Sequence, residues 1–204
     1  MSMLAFDLNS LEDTAALAQR LTPDLIAHMQ KHGSLAVLLM GTLGAGKTTF
    51  VRHLVAHLPG GENAEVSSPS FTLCNIYPTS PEVLHYDLYR LPPGGASEEL
   101  EEALDSLDNL DSLDSSANLP RPKPRLLLIE WAEHLQQNMV PANRLEIYWH
   151  SLPAAQISDN GAASHLILKE DLITDSVSAN QDRRRVILKA EGLAADLQIF
   201  TAIN

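Results

Sequence analysis

Short apolar runs, broken by glycine, proline and polar stretches, divide this chain into alternating strands and helices. A strand is predicted at residues 3–8, followed by a helix to about His32 in which apolar residues recur every three or four positions. Pro23 suggests a break or a new first turn in that helix, and Gly33 ends it. Further strands are predicted at residues 35–40, 71–77, 83–89, 126–130, 144–150, 165–169 and 185–190, and further helices at 48–58, 97–107 and 192–200.

This order of elements predicts a single α/β domain over residues 1–204. We expect a three-layer α/β architecture, with a mixed, mostly parallel sheet and antiparallel C-terminal strands. Residues 105–124 interrupt the pattern with a three-residue repeat of leucine between acids, followed by a stretch rich in Ser, Asn and Pro. Such a composition favours a mobile acidic insertion, although its leucines could instead dock on a partner as a helix.

The net charge of −12 comes largely from one segment. Eight acidic residues and no Lys or Arg lie between Glu98 and Asp114. Tight, independent binding to nucleic acid is not expected, because such binding needs basic residues that neutralise phosphates. Cys74 is the only cysteine, which fits a cytoplasmic location, and the sequence shows neither a membrane-spanning apolar run nor a signal peptide.

The segment GTLGAGKT, residues 41–48, fits the phosphate-binding loop pattern G-x-x-x-x-G-K-[ST]. Its glycines let backbone N–H groups approach the phosphates, Lys47 supplies a positive charge, and Thr48 supplies a hydroxyl for Mg²⁺. A buried-type strand precedes the loop and a helix follows it, as the motif requires. The sequence therefore predicts a three-layer P-loop NTPase-type fold that binds a nucleoside triphosphate with Mg²⁺.

Two acidic residues follow buried-type strands and are candidates for phosphoryl chemistry. Asp87 ends the segment VLHYD and Glu130 ends the segment LLLIE. The carboxyl ends of parallel strands meet at the edge of the sheet where the phosphate loop also lies. Either acid could hold Mg²⁺ directly or through water, or each could serve as a cap or an ion-pair partner. His85, within the same strand as Asp87, is interpreted as a packed residue rather than a base.

Three further features leave alternatives open. The hydroxyl-rich segment 68–72 (SPSFT) could respond to a γ-phosphate as GTPase switch segments do, or be an ordinary turn. Trp131 could belong to the core or cover the site. The arginines at 183–185 could form a solvated hairpin end, or one of them could reach the nucleotide.

Four segments together resemble the TsaE family, formerly called YjeE: GTLGAGKTTF at 41–50, SPSFT at 68–72, HYDLYRL at 85–91 and IEW at 129–131. The resemblance runs from the N-terminal helix to the strand near 183, without the insertion. HYDLYRL between the phosphate loop and IEW separates this family from other P-loop proteins far better than the loop alone.

The resemblance implies a bacterial cytoplasmic ATPase needed for threonylcarbamoyladenosine at position 37 of tRNA. In that family the protein works with TsaB and TsaD, and TsaD transfers the threonylcarbamoyl group. ATP hydrolysis by TsaE is held to reset the complex between turnovers. The protein would then meet tRNA only indirectly, through the complex.

The resemblance also implies a role for individual residues. Mg²⁺ would be bound by Thr48 and Glu130, Asp87 would support the metal or the water, and Trp131 would shape the site. Thr14 and Arg183 would lie near the base or ribose. The phosphates would be held by Gly44, Ala45, Gly46, Lys47, Thr48 and Thr49.

This sequence departs from the family pattern in three places. Thr42 stands where the family usually has Asp, so any catalytic role of that carboxylate is absent or reassigned. Ser70 replaces the usual threonine of the SPT[FY] segment and keeps its hydroxyl. The acidic insertion is longer than usual.

Two other functions compete with the ATPase. A small-molecule kinase of the same fold would need an acceptor pocket and usually an arginine-bearing lid, but no basic residue lies between Arg90 and Arg121. A nucleotide-gated binding module would hydrolyse little, and Thr42 keeps this alternative open. Stimulation of hydrolysis by partner proteins separates the ATPase from the module, and phosphate transfer to an acceptor identifies a kinase.

Overall fold

The computed structural model describes residues 2–108, 123–152, 183–197 and 199. Within these ranges the strands are β1 (Ser2–Leu8), β2 (Leu35–Gly41), β3 (Cys74–Tyr77), β4 (Glu82–Asp87), β5 (Arg125–Glu130), β6 (Arg144–Ser151) and β7 (Arg184–Glu191). The helices are α1 (Leu11–His32), α2 (Lys47–His57) and α3 (Glu98–Asp108). Short 3₁₀ turns cover Ala132–His134, Gln137–Met139 and Gly192–Asp196.

All seven strands form one sheet in the order β1-β7-β6-β2-β5-β4-β3. The four central strands β6, β2, β5 and β4 are parallel to one another. The outer pairs β1–β7, β6–β7 and β3–β4 are antiparallel. This arrangement confirms the predicted mixed sheet with a mostly parallel centre and antiparallel C-terminal pairing.

Two apolar cores, one on each face of the sheet, give the three layers. Helices α1 and α2 pack on one face against alternate residues of β2, including Leu35, Val37 and Leu39. Helix α3 covers part of the other face, where Ala36 and Leu38 of β2 point. Because both faces of the central strands are covered, β2 and β5 have nearly continuous apolar sequences.

The prediction of a break or a new first turn at Pro23 is wrong. Helix α1 is 22 residues long and continues without interruption through Pro23. Ser10 caps its N-terminus, because the Ser10 hydroxyl oxygen accepts a hydrogen bond from the Asp13 N–H. Leu21 and Leu25, on either side of the proline, are both fully buried in the core. The packing of this apolar face outweighs the loss of about 3 kcal/mol that an interior proline costs a helix.

Other boundaries differ from the predicted ones. The strand predicted at 71–77 begins only at Cys74, because Leu73 has a left-handed backbone (φ 65°) and its N–H closes a turn onto the Pro69 carbonyl. The strand predicted at 83–89 ends at Asp87, whose carboxylate accepts from the Tyr89 N–H and turns the chain. At 192–200 the described residues form a 3₁₀ turn over Gly192–Asp196.

The predicted insertion overlaps helix α3. Residues 105–108 continue this helix, and Leu107 is buried against its neighbours. Residues 109–122 of the predicted insertion, and the strand predicted at 165–169, lie outside the described residues.

Candidate nucleotide site

The phosphate loop joins β2 to α2 through glycines with left-handed backbones. Gly41, Gly44 and Gly46 have φ values of 138°, 76° and 107°. A Cβ built on Gly41 would lie only 2.7 Å from the backbone oxygen of Trp149 on the neighbouring strand β6. The loop therefore requires glycine at 41 for both conformation and space. Helix α2 begins directly after Gly46, so its N-terminal N–H groups point toward the loop.

Lys47 is buried and makes its contacts within the loop. Its Nζ donates to the carbonyl oxygens of Gly41 and Thr42, the second at 3.0 Å. The same nitrogen lies 4.1 Å from the ring centroid of Trp131. Burial lowers the pKa of Lys47, and the charges of Glu130, Glu133 and Asp87 oppose that shift. These acids favour the charged lysine, as a phosphate-binding role requires.

The two predicted acids lie side by side at the ends of parallel strands. Asp87 of β4 and Glu130 of β5 are partners in the register, and both are 3% exposed. Glu130 accepts hydrogen bonds from the Thr48 hydroxyl at 2.7 and 2.9 Å, which joins the loop to β5. Glu130 Oε1 also lies 2.9 Å from His85 Nε2.

Asp87 ties the hydroxyl-rich segment to the sheet. Its Oδ2 accepts from the Ser68 hydroxyl, and its Oδ1 accepts from the Tyr89 N–H at 2.9 Å. Within the same segment Phe71 is 80% exposed, and its ring lies 3.8 Å from the Arg90 guanidinium. The segment 68–72 is therefore anchored to the site at one end and projects into solvent at the other.

Trp131 enters the site through an unusual backbone. Directly after Glu130 it adopts a left-handed conformation (φ 58°), which is uncommon for a bulky residue and characteristic of functional sites. Its ring is 4.9 Å from that of Tyr89 and lies over Lys47. The half-buried ring packs against the apolar core and also borders the cavity, so the two alternatives from the sequence do not exclude each other.

These residues enclose one cavity of about 330 Å³. It is lined by Leu43, Gly44, Ala45, Gly46, Lys47, Thr48, Thr49, Ser68, Ser70, Asp87, Tyr89, Glu130 and Trp131. The structure thus brings together the loop residues, both strand-end acids, Trp131 and the hydroxyl-rich segment. The volume lies at the small end of the range for ligand pockets.

Two residues predicted near the base or ribose stand apart from this cavity lining. Thr14 is buried in α1, and its hydroxyl donates to the Ser10 carbonyl at 3.4 Å. Arg183 donates through Nε to the Asn9 side chain at 2.8 Å. Contact of either residue with the nucleotide stays a prediction.

Arg184 is the member of the arginine run that approaches the loop. A Cβ built on Gly46 would lie 3.6 Å from Arg184 Nε and 3.7 Å from the Trp149 ring. Arg185 points the other way and pairs with Asp7 at 2.7 Å. Strand alternation explains this division, since Arg184 shares its face of β7 with Val186 and Leu188, which pack toward α1 and α2.

Sequence reasoning did not identify several neighbours of the site. Trp149 packs beneath the loop, with its ring 5.7 Å from Phe50 of α2. Glu133 lies in the turn after β5, with Oε1 3.5 Å from the Gly41 nitrogen. The apolar alternation of β6 signals an inward tryptophan at 149, but no local pattern marks Glu133.

Comparison with known proteins shows the family to which this chain belongs. A family model described as threonylcarbamoyl adenosine biosynthesis protein TsaE matches residues 8–157. The chain belongs to the TsaE family. This confirms the resemblance read from the four sequence segments, and the match includes the loop, both acids and the segment 68–72.

Curated relatives carry the same family name. The tRNA threonylcarbamoyladenosine biosynthesis protein TsaE of Rickettsia felis is 36% identical over 166 residues, 78% of this chain and 82% of the relative. The protein of that name from Aquifex aeolicus is 45% identical over 98 residues, 48% of this chain and 69% of the relative. Among the described residues of the present chain, no helix is long and apolar enough to cross a membrane.

Proposed function

We propose that this protein is a Mg²⁺-dependent cytoplasmic ATPase of tRNA threonylcarbamoyladenosine synthesis. It hydrolyses ATP to ADP and phosphate, and this hydrolysis resets a complex of TsaB and TsaD. One observation carries the chemical part of the proposal: Lys47, Thr48, Asp87 and Glu130 line a single cavity behind a phosphate loop. The names of the relatives support the tRNA-modification part.

The loop fits a triphosphate. Its left-handed glycines leave the backbone N–H groups unobstructed, and the N-terminus of α2 adds its positive dipole. Lys47 bonds two loop carbonyls, and we infer that it moves to the β- and γ-phosphates when they bind. Carbonyl partners are weaker than phosphate for an ammonium group, so this exchange favours binding.

The donor set beside the loop fits Mg²⁺. This ion prefers oxygen ligands and is usually held by one or two carboxylates together with substrate phosphates. Thr48 and Glu130 offer a hydroxyl and a carboxylate already in contact with each other. Thr48 and Glu130 would hold the ion beside the nucleotide, where its positive charge would neutralise the phosphates.

Asp87 is the residue best placed to orient the attacking water. Its carboxylate sits in register with Glu130 and is held from two sides by Ser68 and the Tyr89 N–H. A water between Asp87 and the γ-phosphate would donate a hydrogen bond to the carboxylate. Because Ser68 belongs to the hydroxyl-rich segment, loss of the γ-phosphate would be transmitted to that segment.

A partner protein fits the charge distribution of this site. Among the described residues that line the cavity, Lys47 is the one basic side chain. P-loop enzymes commonly need a second cation, often an arginine supplied by a partner, for fast hydrolysis. The net charge of −12 also favours acting on tRNA through partner proteins rather than by direct binding.

The test is ATP turnover by the purified protein with Mg²⁺, alone and with TsaB and TsaD from the same organism. We expect weak basal hydrolysis, stimulation by the two partners, and loss of turnover in Glu130→Ala. Glu62→Ala, an exposed acid outside the cavity, is the matched control and should hydrolyse ATP normally.

Two results would contradict the proposal. ATP binding without hydrolysis in any mixture would favour the nucleotide-gated module and point to Thr42. Transfer of the γ-phosphate to a small-molecule acceptor, followed with radiolabelled ATP, would identify a kinase instead.

A further inference from the structure

His85 is a buried polar residue that the proposed chemistry does not use. Its side chain is fully buried in β4, on the face of the sheet that carries Asp87 and Glu130. Its Nε2 lies 2.9 Å from Glu130 Oε1, and its Nδ1 has no hydrogen-bond partner among the described residues. Burying an unpaired polar atom costs free energy, so a residue kept only for packing would more simply be apolar.

The contact defines where the imidazole proton lies. An ionised carboxylate only accepts hydrogen bonds, so His85 must donate through Nε2. A neutral ring then carries no proton on Nδ1, which agrees with the absence of an acceptor beside that atom. The Nε2–H tautomer therefore satisfies the contact with Glu130 and leaves Nδ1 as an unpaired buried acceptor.

The His85 bond restrains Glu130 in addition to the contact from the loop. Thr48 contacts both carboxylate oxygens from the loop, and His85 contacts Oε1 from β4. With donors from two separate elements, rotation of the carboxylate plane is restricted. Groups that fix a metal-binding carboxylate in this way commonly affect metal affinity as much as 10- to 100-fold.

We propose that His85 is a positioning residue that orients the Glu130 carboxylate for Mg²⁺ through its Nε2–H donor. The inference rests on the proposed function, because it assumes that Glu130 binds Mg²⁺ with the nucleotide. It assigns His85 no contact with substrate or metal.

The test measures nucleotide affinity with and without Mg²⁺. The probe is a fluorescent N-methylanthraniloyl-ADP, titrated at saturating Mg²⁺ and again in EDTA. His85→Phe keeps a ring but removes the donor, and we expect it to weaken Mg²⁺-dependent binding about tenfold while leaving affinity in EDTA unchanged. His85→Gln keeps an N–H donor on a flexible chain and should recover most of the loss.

His28→Phe is the control for a buried histidine replaced by phenylalanine far from the site. His28 is 5% exposed in α1 and should bind the probe as the wild type does under both conditions. If His85→Phe loses nucleotide affinity equally in EDTA and in Mg²⁺, His85 has only a packing role and the proposal is overturned. Wild-type Mg²⁺ dependence in His85→Phe would overturn it as well.

A measurement on the unmodified protein keeps the proposal testable if the variants unfold. The ¹⁵N chemical shifts of the His85 ring should report the Nε2–H tautomer, and an Nδ1–H tautomer would overturn the proposal. If the wild type itself binds nucleotide with no dependence on Mg²⁺, the proposed function fails first. If instead Mg²⁺ raises the nucleotide affinity of the wild type and of His85→Phe equally, the proposed function stands and only the role of His85 fails.

Discussion

Glu130 and Glu146 are both buried carboxylates in the same sheet, but their surroundings differ in kind. Glu146, in β6, is 5% exposed and pairs with Arg144 Nε at 2.6 Å and Lys189 Nζ at 3.3 Å. It also accepts from the Tyr148 hydroxyl at 2.7 Å. Burial alone would raise the pKa of Glu146, but these hydrogen bonds and the two cations lower it overall.

Glu130, at 3% exposure, is held by a hydroxyl and an imidazole instead. Within the described residues it forms no ion pair with a lysine or arginine, although the charge of Lys47 is close enough to act on it. A buried carboxylate is costly unless a cation compensates it. Glu146 carries its compensation permanently, whereas the site around Glu130 suits a cation that arrives with the substrate.

The largest expected effect comes from removing Lys47, the cation nearest Glu130 in the candidate site. Lys47→Ala should weaken ATP binding on the order of 100-fold, because charged hydrogen bonds contribute about 1.5 to 3 kcal/mol each. Calorimetric titration with ATP and Mg²⁺ measures the change. Lys189→Ala removes one of the two cations beside Glu146 and should leave the affinity for ATP within a factor of two.

Tight, Mg²⁺-dependent ATP binding by Lys47→Ala would contradict the role of this lysine. An equal loss in Lys189→Ala would break the distinction between the two regions.

Neutralising each carboxylate should separate stability from function. Glu146→Gln should lower the free energy of unfolding by about 2 kcal/mol, because it removes the carboxylate partner of the partly buried Arg144, whereas Lys189 keeps its pair with Glu191. Glu130→Gln removes a carboxylate that has no permanent cation partner, so its unfolding free energy should change by less than about 1 kcal/mol. Urea denaturation monitored by circular dichroism measures both values.

Nucleotide binding should show the reverse order. Glu130→Gln should lose Mg²⁺ dependence, while Glu146→Gln keeps it. A Glu130→Gln variant destabilised as much as Glu146→Gln would show that both carboxylates are structural.

Local patterns were sufficient to predict the parts of the site that lie in contiguous segments. The glycines at 41, 44 and 46 indicated the loop, and apolar runs ending in Asp87 and Glu130 placed both acids at one edge of the sheet. The two acids meet because β4 and β5 are adjacent and parallel. That adjacency is a general property of such folds, so sequence reasoning reached it.

Contacts between distant segments could not be predicted in the same way. Arg184, rather than Arg183 or Arg185, turns to the loop because of its phase in β7, and a run of three arginines hides that phase. The His85 contact depends on a diagonal approach between strands. Pro23 was misread because the local signal for a break is outweighed by packing of α1 on the sheet.

His28, a buried histidine far from the site, is a basic group whose charged form burial disfavours. Burial lowers the pKa of His28 to about 4, with a further lowering from His32 and Lys31 and an opposing effect of Asp196. The unfolded chain then binds more protons than the folded one between about pH 4 and pH 6.5, so stability falls as the pH drops through this window.

The expected loss at His28 is about 2 kcal/mol between pH 7 and pH 5. His28→Leu cannot be protonated there and should lose correspondingly less stability over the same range. Urea denaturation at both pH values measures the difference. The same slope in both proteins would place the acid sensitivity elsewhere, for example at another titrating group.

The smallest expected effect concerns Arg184, which tests how far the site extends along β7. Its guanidinium lies beside Gly46 and, within the described part of the chain, forms no ion pair. Arg184→Ala should weaken ATP binding about five- to tenfold, a loss of about 1 kcal/mol, as expected for one partly solvated charged contact.

Arg185→Ala breaks the exposed pair with Asp7 on the opposite face and should leave ATP affinity unchanged. Because both variants remove one arginine from adjacent positions, the general change in charge is the same. An equal loss of ATP affinity in both variants would show that only the net charge matters. A loss in Arg184→Ala alone would show that the positively charged part of the site includes Arg184 of β7 as well as Lys47.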